Sequence, residues 1–457
     1  MFLKQIKTDG LAHFSYIIGD GSLAAVIDPR RDIEVYLETA RANGVRIAHI
    51  FETHRNEDLV SGACALAEIT GAKVYHGPNA ADDITYAETV KEGFSVDLGA
   101  LKLEVMETPG HTDDSISIAI YDTAYPDGAA GVFTGDALFV GDVGRTDFYP
   151  DRPEEVAGKL YDSLQKLVSL GDQTILYPAH GAGSACGAGM ADREFSTIGH
   201  ERKNNPRLKI SSREAFIEAK VNEHHYQPPY FKLMEQLNLS GAPACTAPAP
   251  LKVLPLGELR KAQPDHMLDV RPITSHLGGH VAASQALPVS MITAFGGWFL
   301  GRDDKIGLIA ESVGEAEAAA RHLCRIGFDN IVGAALAPVG MAAGGEKLAS
   351  IPLVDTEEVA ARLKAGDADW ALLDVRSIEE FEGGHIPGSK HLYAGDVMAG
   401  CDGPDLPART TVMCGSGARA TLAASALKRC GHTGVDVFMG SYQAWTADGR
   451  ETESGGG

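Results

Sequence analysis

The sequence predicts a multidomain chain of mixed α+β and α/β class: a β-sandwich with outer helices over the first 240 residues, then two α/β units with parallel sheets. Three observations predict it. The chain has 457 residues, too many for one hydrophobic core, so two or three domains are expected. Its first half alternates short β-type runs with helical stretches. Its second half holds an internal repeat. DVRPITSHLGGHVAAS from Asp269 matches DVRSIEEFEGGHIPGS from Asp374, 105 positions on (374 − 269). AESVGEAEAAARHLCRIG from Ala310 matches CGSGARATLAASALKRCG from Cys414, 104 positions on (414 − 310). One deletion therefore separates two related units of one small domain each.

The elements follow in order. FSYIIG, LAAVIDP, IAHIFETH, AKVYHG, LKLEVMETPGH, ISIAIYD, AGVFTGDALF and QTILYPAHG read as strands, with DIEVYLETARANG and EEVAGKLYDSLQKLVSL as helices between them. Three of these strands run directly into a candidate ligand: His54, His111 and Asp136. Loops at strand ends are where rigid scaffolds carry sites. LSGAPACTAPAP (Leu239 to Pro250) is rich in Pro and Ala and reads as a linker, and the small, Gly-rich PVGMAAGGEKLASIP (Pro338 to Pro352) as a second boundary. Domains are thus expected over 1–240, 250–345 and 350–457. In each repeat an apolar strand (MLDV, ALLDV) leads to a loop and later to an Ala-rich helix, the pattern of a parallel sheet.

A formal charge of −22 argues against nucleic acid and anionic membrane partners, which need basic patches. No run approaches the length of a membrane span, and MFLKQIKTDGLAHFSYIIGDGS lacks a signal-peptide core, so a cytoplasmic location is expected. Seven cysteines (64, 186, 245, 324, 401, 414 and 430), scattered and without a CxxC pair, do not form a disulfide framework. Free thiols are expected, most of them small buried hydrophobes.

TPGHT (Thr108 to Thr112), FTGDALF (Phe133 to Phe139), GRTDF (Gly144 to Phe148) and YPAHG (Tyr177 to Gly181), in this order and spacing, resemble the metallo-β-lactamase superfamily. STIGHERKNNPRL (Ser196 to Leu208) narrows the resemblance to its glyoxalase II and persulfide dioxygenase branch. The resemblance covers roughly residues 1–240 and implies an αββα sandwich. The departure from the pattern is informative. The superfamily's HxHxDH string, which seeds two metals, reads here as THRNEDLVSG: His54 is kept, Asn56 and Leu59 replace histidines, and Asp58 is kept. Leucine cannot bind a metal and an amide is a poor ligand for a borderline transition ion, so each of two sites has lost an imidazole.

His54, His111 and Asp136 survive. Two histidines and one carboxylate on one side of an ion form the facial triad of non-haem Fe(II) oxygenases, with three positions open for a persulfide sulfur, O2 and water. In the persulfide dioxygenases the corresponding positions are the iron ligands, so the resemblance implies one Fe(II) per chain. Asp58 and His180 are expected to persist as hydrogen-bond partners that orient ligands or bound water. Arg145 is a candidate anchor for the carboxylate of a glutathione-like carrier, with a structural salt bridge as the competing role. Cys186, six residues beyond His180, is a candidate sulfur relay, with a plain buried thiol as the simpler reading.

The second repeat, through LLDVR (Leu372 to Arg376), FEGGHIPGS (Phe381 to Ser389) and VMCGSGARA (Val412 to Ala420), resembles rhodanese. Cys414 follows a strand and precedes a helix. The loop of Gly415, Ser416, Gly417 and Ala418 can turn successive N–H groups inward as an anion nest at a helix N-terminus. There a Cys414 thiolate can attack sulfane sulfur, and the same amides hold the persulfide. Arg419 would attract an anionic donor or acceptor such as sulfite. A cysteine phosphatase loop has five residues between Cys and Arg; the four here suit sulfur better. In the first repeat Ala310 stands for Cys414 and Glu315 for Arg419, so this copy is expected to be inactive, a spacer or a contact within a homo-oligomer.

Together these resemblances imply a persulfide dioxygenase coupled to a sulfurtransferase, with a small-molecule persulfide, O2, sulfite and thiosulfate as its partners. The alternatives are a glyoxalase II-like thioester hydrolase, which needs the second metal, and a non-catalytic persulfide carrier or sensor loaded at Cys414.

Overall fold

Side chains alternate between the faces of a strand, and continuous burial along strands such as His13–Asp20 and Gly131–Gly135 dictates layers on both faces of each sheet. In the computed structural model, which describes residues 1–79, 84–184, 187, 189–243, 245, 250–400 and 406–455, Tyr16 and Ile18 face one core while Ile17 faces another. The first six-stranded sheet runs through Phe2–Thr8, His13–Asp20, Leu23–Ile27, Arg46–Phe51, Lys73–His76 and Glu88–Thr89 in sequence order. The second places Ser196–Thr197, Ile175–Pro178, Gly131–Gly135, Ile116–Asp122, Leu101–Glu107 and Ser95–Leu98 side by side.

Between the sheets lie Phe14, Tyr16, Ile18, Phe51, Leu103, Ile118 and Phe133. Helices Glu34–Ala42 and Ala63–Thr70 cover the outside of the first sheet through Tyr36, Ala40 and Leu66. Helix Pro153–Val168 covers the second through Leu160, Leu164 and Leu167, against Val132 and Leu176. The result is a four-layer αββα sandwich. The strands Leu101–Glu107, Gly131–Gly135 and Ile175–Pro178 point the same way, so the residues that follow them gather at one end.

The chain divides into two compact units: Met1–Gln227 with Phe231–Thr246 and Arg325–Gly327, and Pro228–Tyr230 with Ala247–Cys324 and Phe328–Gly457. The second unit contains both repeats, each with its own parallel sheet. In the first, the order is Gln285–Ala286, His266–Asp269, Ile306–Ala310, Ile331–Leu336. In the second it is Lys390–His391, Trp370–Asp374, Arg409–Met413, Gly434–Phe438, Leu353–Val354. The order is the same, and the extra strand has a vestige in the first copy, where Val253 bridges Ala334 in parallel. Within this unit the helix after Cys414 docks on the first copy: the Ser425 hydroxyl accepts from Gln285 Nε2 at 2.6 Å and from the Ala286 amide at 3.0 Å.

The shared DVR and GGH strings have a structural cause. Arg271 forks onto Asp269 (Nε–Oδ1 2.8 Å, Nη2–Oδ2 2.7 Å) and donates to the Gly279 carbonyl at 2.8 Å. Arg376 does the same with Asp374 (3.0 and 2.7 Å) and Gly384 (2.7 Å). His280 and His385 each donate from Nδ1 to the carbonyl four residues back and stack on that residue's ring at 3.9 Å. Both ion pairs are buried, so their geometry ties strand end to loop.

Cys64 and Cys414 are free, as expected. Cys245, Cys324 and Cys430 are disulfide-bonded, against the expectation of free thiols; the fold brings together sulfurs that sequence spacing kept apart. Cys186 and Cys401 lie outside the described residues, so the relay suggested for Cys186 has no structural description. Among the described residues, no helix is long and apolar enough to cross a membrane.

Removing one partner of a buried ion pair leaves the other charge uncompensated and costs about 3–5 kcal/mol. Asp269→Asn and Asp374→Asn should therefore each destabilise the C-terminal unit by about that amount in urea unfolding of the full chain. A near-zero effect of Asp269→Asn, beside a large one for Asp374→Asn, would mean that the first copy no longer depends on its pair.

Candidate metal centre

Strand ends build the site. His54 follows Arg46–Phe51 in the first sheet; His111 and Asp136 follow Leu101–Glu107 and Gly131–Gly135 in the second. Tight backbone packing presses them together. Gly135 has φ +53° and packs on Thr53, while a Cβ at Gly144 would fall 2.0 Å from the Asp136 carbonyl oxygen and 3.2 Å from His111 Cβ. Asn238 clamps the loop that bears His54: its Nδ2 donates to the carbonyls of Asn56 (2.7 Å) and Leu59 (2.8 Å), and its Oδ1 accepts from the Ser61 amide at 2.8 Å.

All three candidate ligands are buried, each offering one donor atom within 4.8 Å of the others. His111 Nε2 lies 3.5 Å and His54 Nε2 3.9 Å from Asp136 Oδ2. Each ring is oriented by its other nitrogen. His111 Nδ1 sits 2.9 Å from the Arg145 carbonyl oxygen, which only accepts, so Nδ1 carries the proton. The Thr53 hydroxyl donates to Asp28 Oδ2 at 2.8 Å, leaving its lone pair to accept from His54 Nδ1 at 2.9 Å. Both imidazoles therefore turn Nε2 inward.

His54 Nε2, His111 Nε2 and Asp136 Oδ2 are buried without a well-formed hydrogen bond. Converging buried acceptors of this kind are costly unless a cation sits among them. The donor set fits a divalent transition ion.

The second-metal positions are filled differently. Leu59 is buried, and Asn56 turns its amide toward the His54 carbonyl. His180 bridges two carboxylates, Nδ1 to Asp136 Oδ1 at 2.7 Å and Nε2 to Asp58 Oδ2 at 3.1 Å. Burial alone would pull this imidazole down, but Asp136 and Asp58 outweigh it and raise its pKa well above the usual histidine range. Burial would raise Asp136, yet the three surrounding imidazoles hold it far below the ordinary carboxylate range.

Arg145 is buried and committed. It forks onto Asp147 (Nε–Oδ1 2.6 Å, Nη2–Oδ2 2.6 Å), donates from Nη1 to the Tyr226 carbonyl at 3.2 Å, and lies over the Phe148 ring. Its guanidinium is in the salt bridge named as the competing role, and its contact with the centre is through its carbonyl oxygen.

In the second unit Cys414 is buried at the end of strand Arg409–Met413. The Gly417 amide donates to its Sγ at 3.1 Å, and its own amide donates to Ser441 Oγ at 3.1 Å. Gly417 has φ +103°, and a Cβ there would meet the Met439 carbonyl at 2.6 Å, so only glycine closes this turn. Ser416 is exposed, and helix Ala418–Arg429 starts at the loop's end. Arg419 is paired bidentately with Glu380 at 2.5 and 2.7 Å. In the first copy the Glu315 carboxylate accepts from the Glu311 amide at 2.7 Å, an acid capping the loop where the second copy has its cation.

Sequence reasoning did not find Thr53 and Asp28, which set the His54 ring, the Asn238 clamp, or Glu380. It also passed over Glu57, which is buried with Oε1 2.9 Å from His111 Nε2. The available signal was a charged residue inside the string that carries His54 and Asp58.

Fold and site define an αββα sandwich with one triad of candidate metal ligands, joined to a parallel-sheet domain with a cysteine loop. The Metallo-beta-lactamase superfamily profile matches residues 8–180 and the Rhodanese-like domain profile residues 355–448. The chain belongs to the metallo-beta-lactamase superfamily through its N-terminal unit and carries a C-terminal rhodanese-like domain. It is similar to the mitochondrial persulfide dioxygenase ETHE1 of Bos taurus, 27% identical over 259 residues, 52% of this chain and 82% of the relative. It is also similar to a hydroxyacylglutathione hydrolase of Francisella tularensis subsp. novicida, 31% identical over 182 residues, 38% of this chain and 67% of that one. Among solved structures, a metallo-beta-lactamase from Staphylococcus aureus subsp. aureus COL is 29% identical with a TM-score of 0.66, covering 74% of this chain and 99% of that one.

Loss of a group that orients a ligand typically costs 10–100-fold in metal affinity. Thr53→Val removes the hydroxyl between Asp28 and His54 while keeping shape, and should weaken Co(II) binding by about that factor in competition with a chelator. An unchanged affinity would mean that the His54 ring is held by packing alone.

Proposed function

We propose that the N-terminal unit is an iron-dependent persulfide dioxygenase and that the rhodanese-like domain passes sulfane sulfur through Cys414 to sulfite, giving thiosulfate. The observation that carries this reading is the convergence of His54 Nε2, His111 Nε2 and Asp136 Oδ2, each within 4.8 Å of the others, beside second-metal positions filled by Leu59 and by a closed Asp58–His180 contact. Similarity to a persulfide dioxygenase and the rhodanese-like match support a role in sulfur chemistry.

Bound by His54, His111 and Asp136, Fe(II) would supply open coordination positions and the redox chemistry that adding O2 to sulfur requires. The protein's own part is orientation and exclusion. Thr53 and the Arg145 carbonyl fix both rings, His180 holds the second oxygen of Asp136, and Phe148 stands edge-on to His111 with ring centroids 5.3 Å apart. The overall reaction takes a persulfide anion, O2 and water to sulfite, a thiol and a proton.

In the C-terminal domain a Cys414 thiolate attacks the outer sulfur of a second persulfide and releases the carrier thiolate. The amide that reaches Cys414 Sγ from Gly417 holds the anionic sulfur. Sulfite then attacks the outer sulfur of the Cys414 persulfide, the S–S bond breaks, and the Cys414 thiolate and thiosulfate are left. Arg419 is held by Glu380 and would have to exchange that carboxylate for the anion to draw it in.

The hydrolase reading is favoured by the similarity to hydroxyacylglutathione hydrolases and requires two metals. Elemental analysis of anaerobically purified protein separates the readings: about one iron per chain supports the dioxygenase, two zincs the hydrolase, and none a sulfur carrier.

Two variants test the two halves separately. His111→Ala should abolish oxygen uptake with glutathione persulfide, and undiminished uptake would remove the triad assignment. Cys414→Ser should leave oxygen uptake intact while the product shifts from thiosulfate to sulfite. Thiosulfate formed at the original rate would exclude Cys414 as the carrier.

A further inference from the structure

We infer that Glu380 is a specificity-determining residue of the Cys414 loop: it fills the anion site on Arg419 until an acceptor with two anionic oxygens, such as sulfite, takes its place. The inference rests on the sulfur-transfer reading of Cys414 above and deepens it by naming what selects the acceptor.

The geometry sets the site. A Cβ at Gly415 would fall 3.5 Å from Arg419 Nη2, so the guanidinium lies against the residue next to Cys414. Two of its nitrogens meet Glu380, Nη1 with Oε2 at 2.5 Å and Nη2 with Oε1 at 2.7 Å. A planar fork of this kind takes carboxylates and other groups that present two anionic oxygens side by side. Sulfite presents such a pair; cyanide, which offers a single point of contact, does not. The ion pair is open to exchange from solution. The side chains of Arg419 and Glu380 are 24% and 41% exposed, and ion pairs so placed are weak.

Release of Arg419 leaves Glu380 with a second tie. Its Oε2 also accepts from the Ser377 amide at 3.0 Å, and the Glu380 amide donates to the Ser377 hydroxyl at 3.2 Å. These bonds cap helix Ile378–Glu382 and keep the carboxylate beside the loop. Burial would raise the Glu380 carboxyl, but Arg419 and the Ser377 amide hold it below the ordinary glutamate range, so the competitor stays charged.

The first copy shows that the fold does not need the pair. At the same offset of 105, Ser275 stands for Glu380 (380 − 275) and Pro272 for Ser377 (377 − 272). Helix Ile273–Gly278 begins there without a side-chain cap. That copy keeps the Asp–Arg fork and the stacked histidine, yet lacks both members of the Glu–Arg pair together with the cysteine. Glu380 goes with the chemistry of the loop and not with the sheet.

The test uses the full-length protein, loaded at Cys414 with glutathione persulfide and freed of excess donor in the absence of oxygen. Thiosulfate formed with sulfite, and thiocyanate formed with cyanide, are followed in single turnovers over a range of acceptor concentrations. Glu380→Gln keeps the shape and the helix cap but removes the charge. It should lower the half-saturating sulfite concentration roughly three- to tenfold, with the limiting rate kept and the cyanide reaction unaltered. In an Arg419→Gln background, adding Glu380→Gln should change nothing. If Glu380 only caps its helix, Glu380→Gln behaves as the wild type, because its amide oxygen still accepts from Ser377. A sulfite value that is unchanged or raised, or an equal fall for cyanide, would overturn the assignment. Cys414→Ser separates the two readings. If that variant still yields thiosulfate, the sulfur-transfer reading fails, and Glu380 with it; if it yields none while Glu380→Gln matches the wild type, Glu380 alone is wrong.

Discussion

The hydrogen bonds on the outer nitrogens of His54 and His111 are the constraint on which the N-terminal unit depends. An imidazole offers a metal one lone pair, and which nitrogen offers it is settled by what the other nitrogen meets. Here a carbonyl oxygen and a threonine hydroxyl, itself spent on Asp28, leave no choice. The sandwich serves this geometry. Parallel strands bring His111, Asp136 and His180 to the same end of one sheet, and the other sheet contributes His54 across the core.

The duplicated half separates scaffold from chemistry within one chain. Both copies retain the Asp–Arg fork, the carbonyl that it reaches and the stacked histidine below it. Only one retains the sulfur and the cation. The loop between strand and helix can therefore lose its reactive residues without loosening the sheet, because the buried ion pair fixes a different corner. A carboxylate from Glu315 caps the loop in the first copy, so the loop keeps a hydrogen-bonded form without the nucleophile.

Much of this was legible in the sequence. Strand-ending candidate ligands pointed to the site because a motif such as TPGH fixes both a turn and an imidazole, and the repeat offset announced two like units with parallel sheets. What was not legible came from residues distant in sequence. Asn238 clamps a loop some 180 positions away, and no periodicity marks it. Asp28 reads as the end of a strand. Arg145 looked like an anion anchor because its charge is visible in the string, whereas the Asp147 fork that occupies it is a matter of side-chain direction. The bonded cysteines escaped for the same reason: spacing along a chain says little about distance across a fold.

The fork between Arg145 and Asp147 reaches further than its own strength. The carbonyl that orients His111 belongs to the residue whose guanidinium Asp147 holds, and the Asp147 side chain is 26% exposed. The chain from solvent to the buried imidazole is thus two residues long. Solvent therefore meets, at the Asp147 carboxylate, the first of the two residues that hold the His111 ring in place.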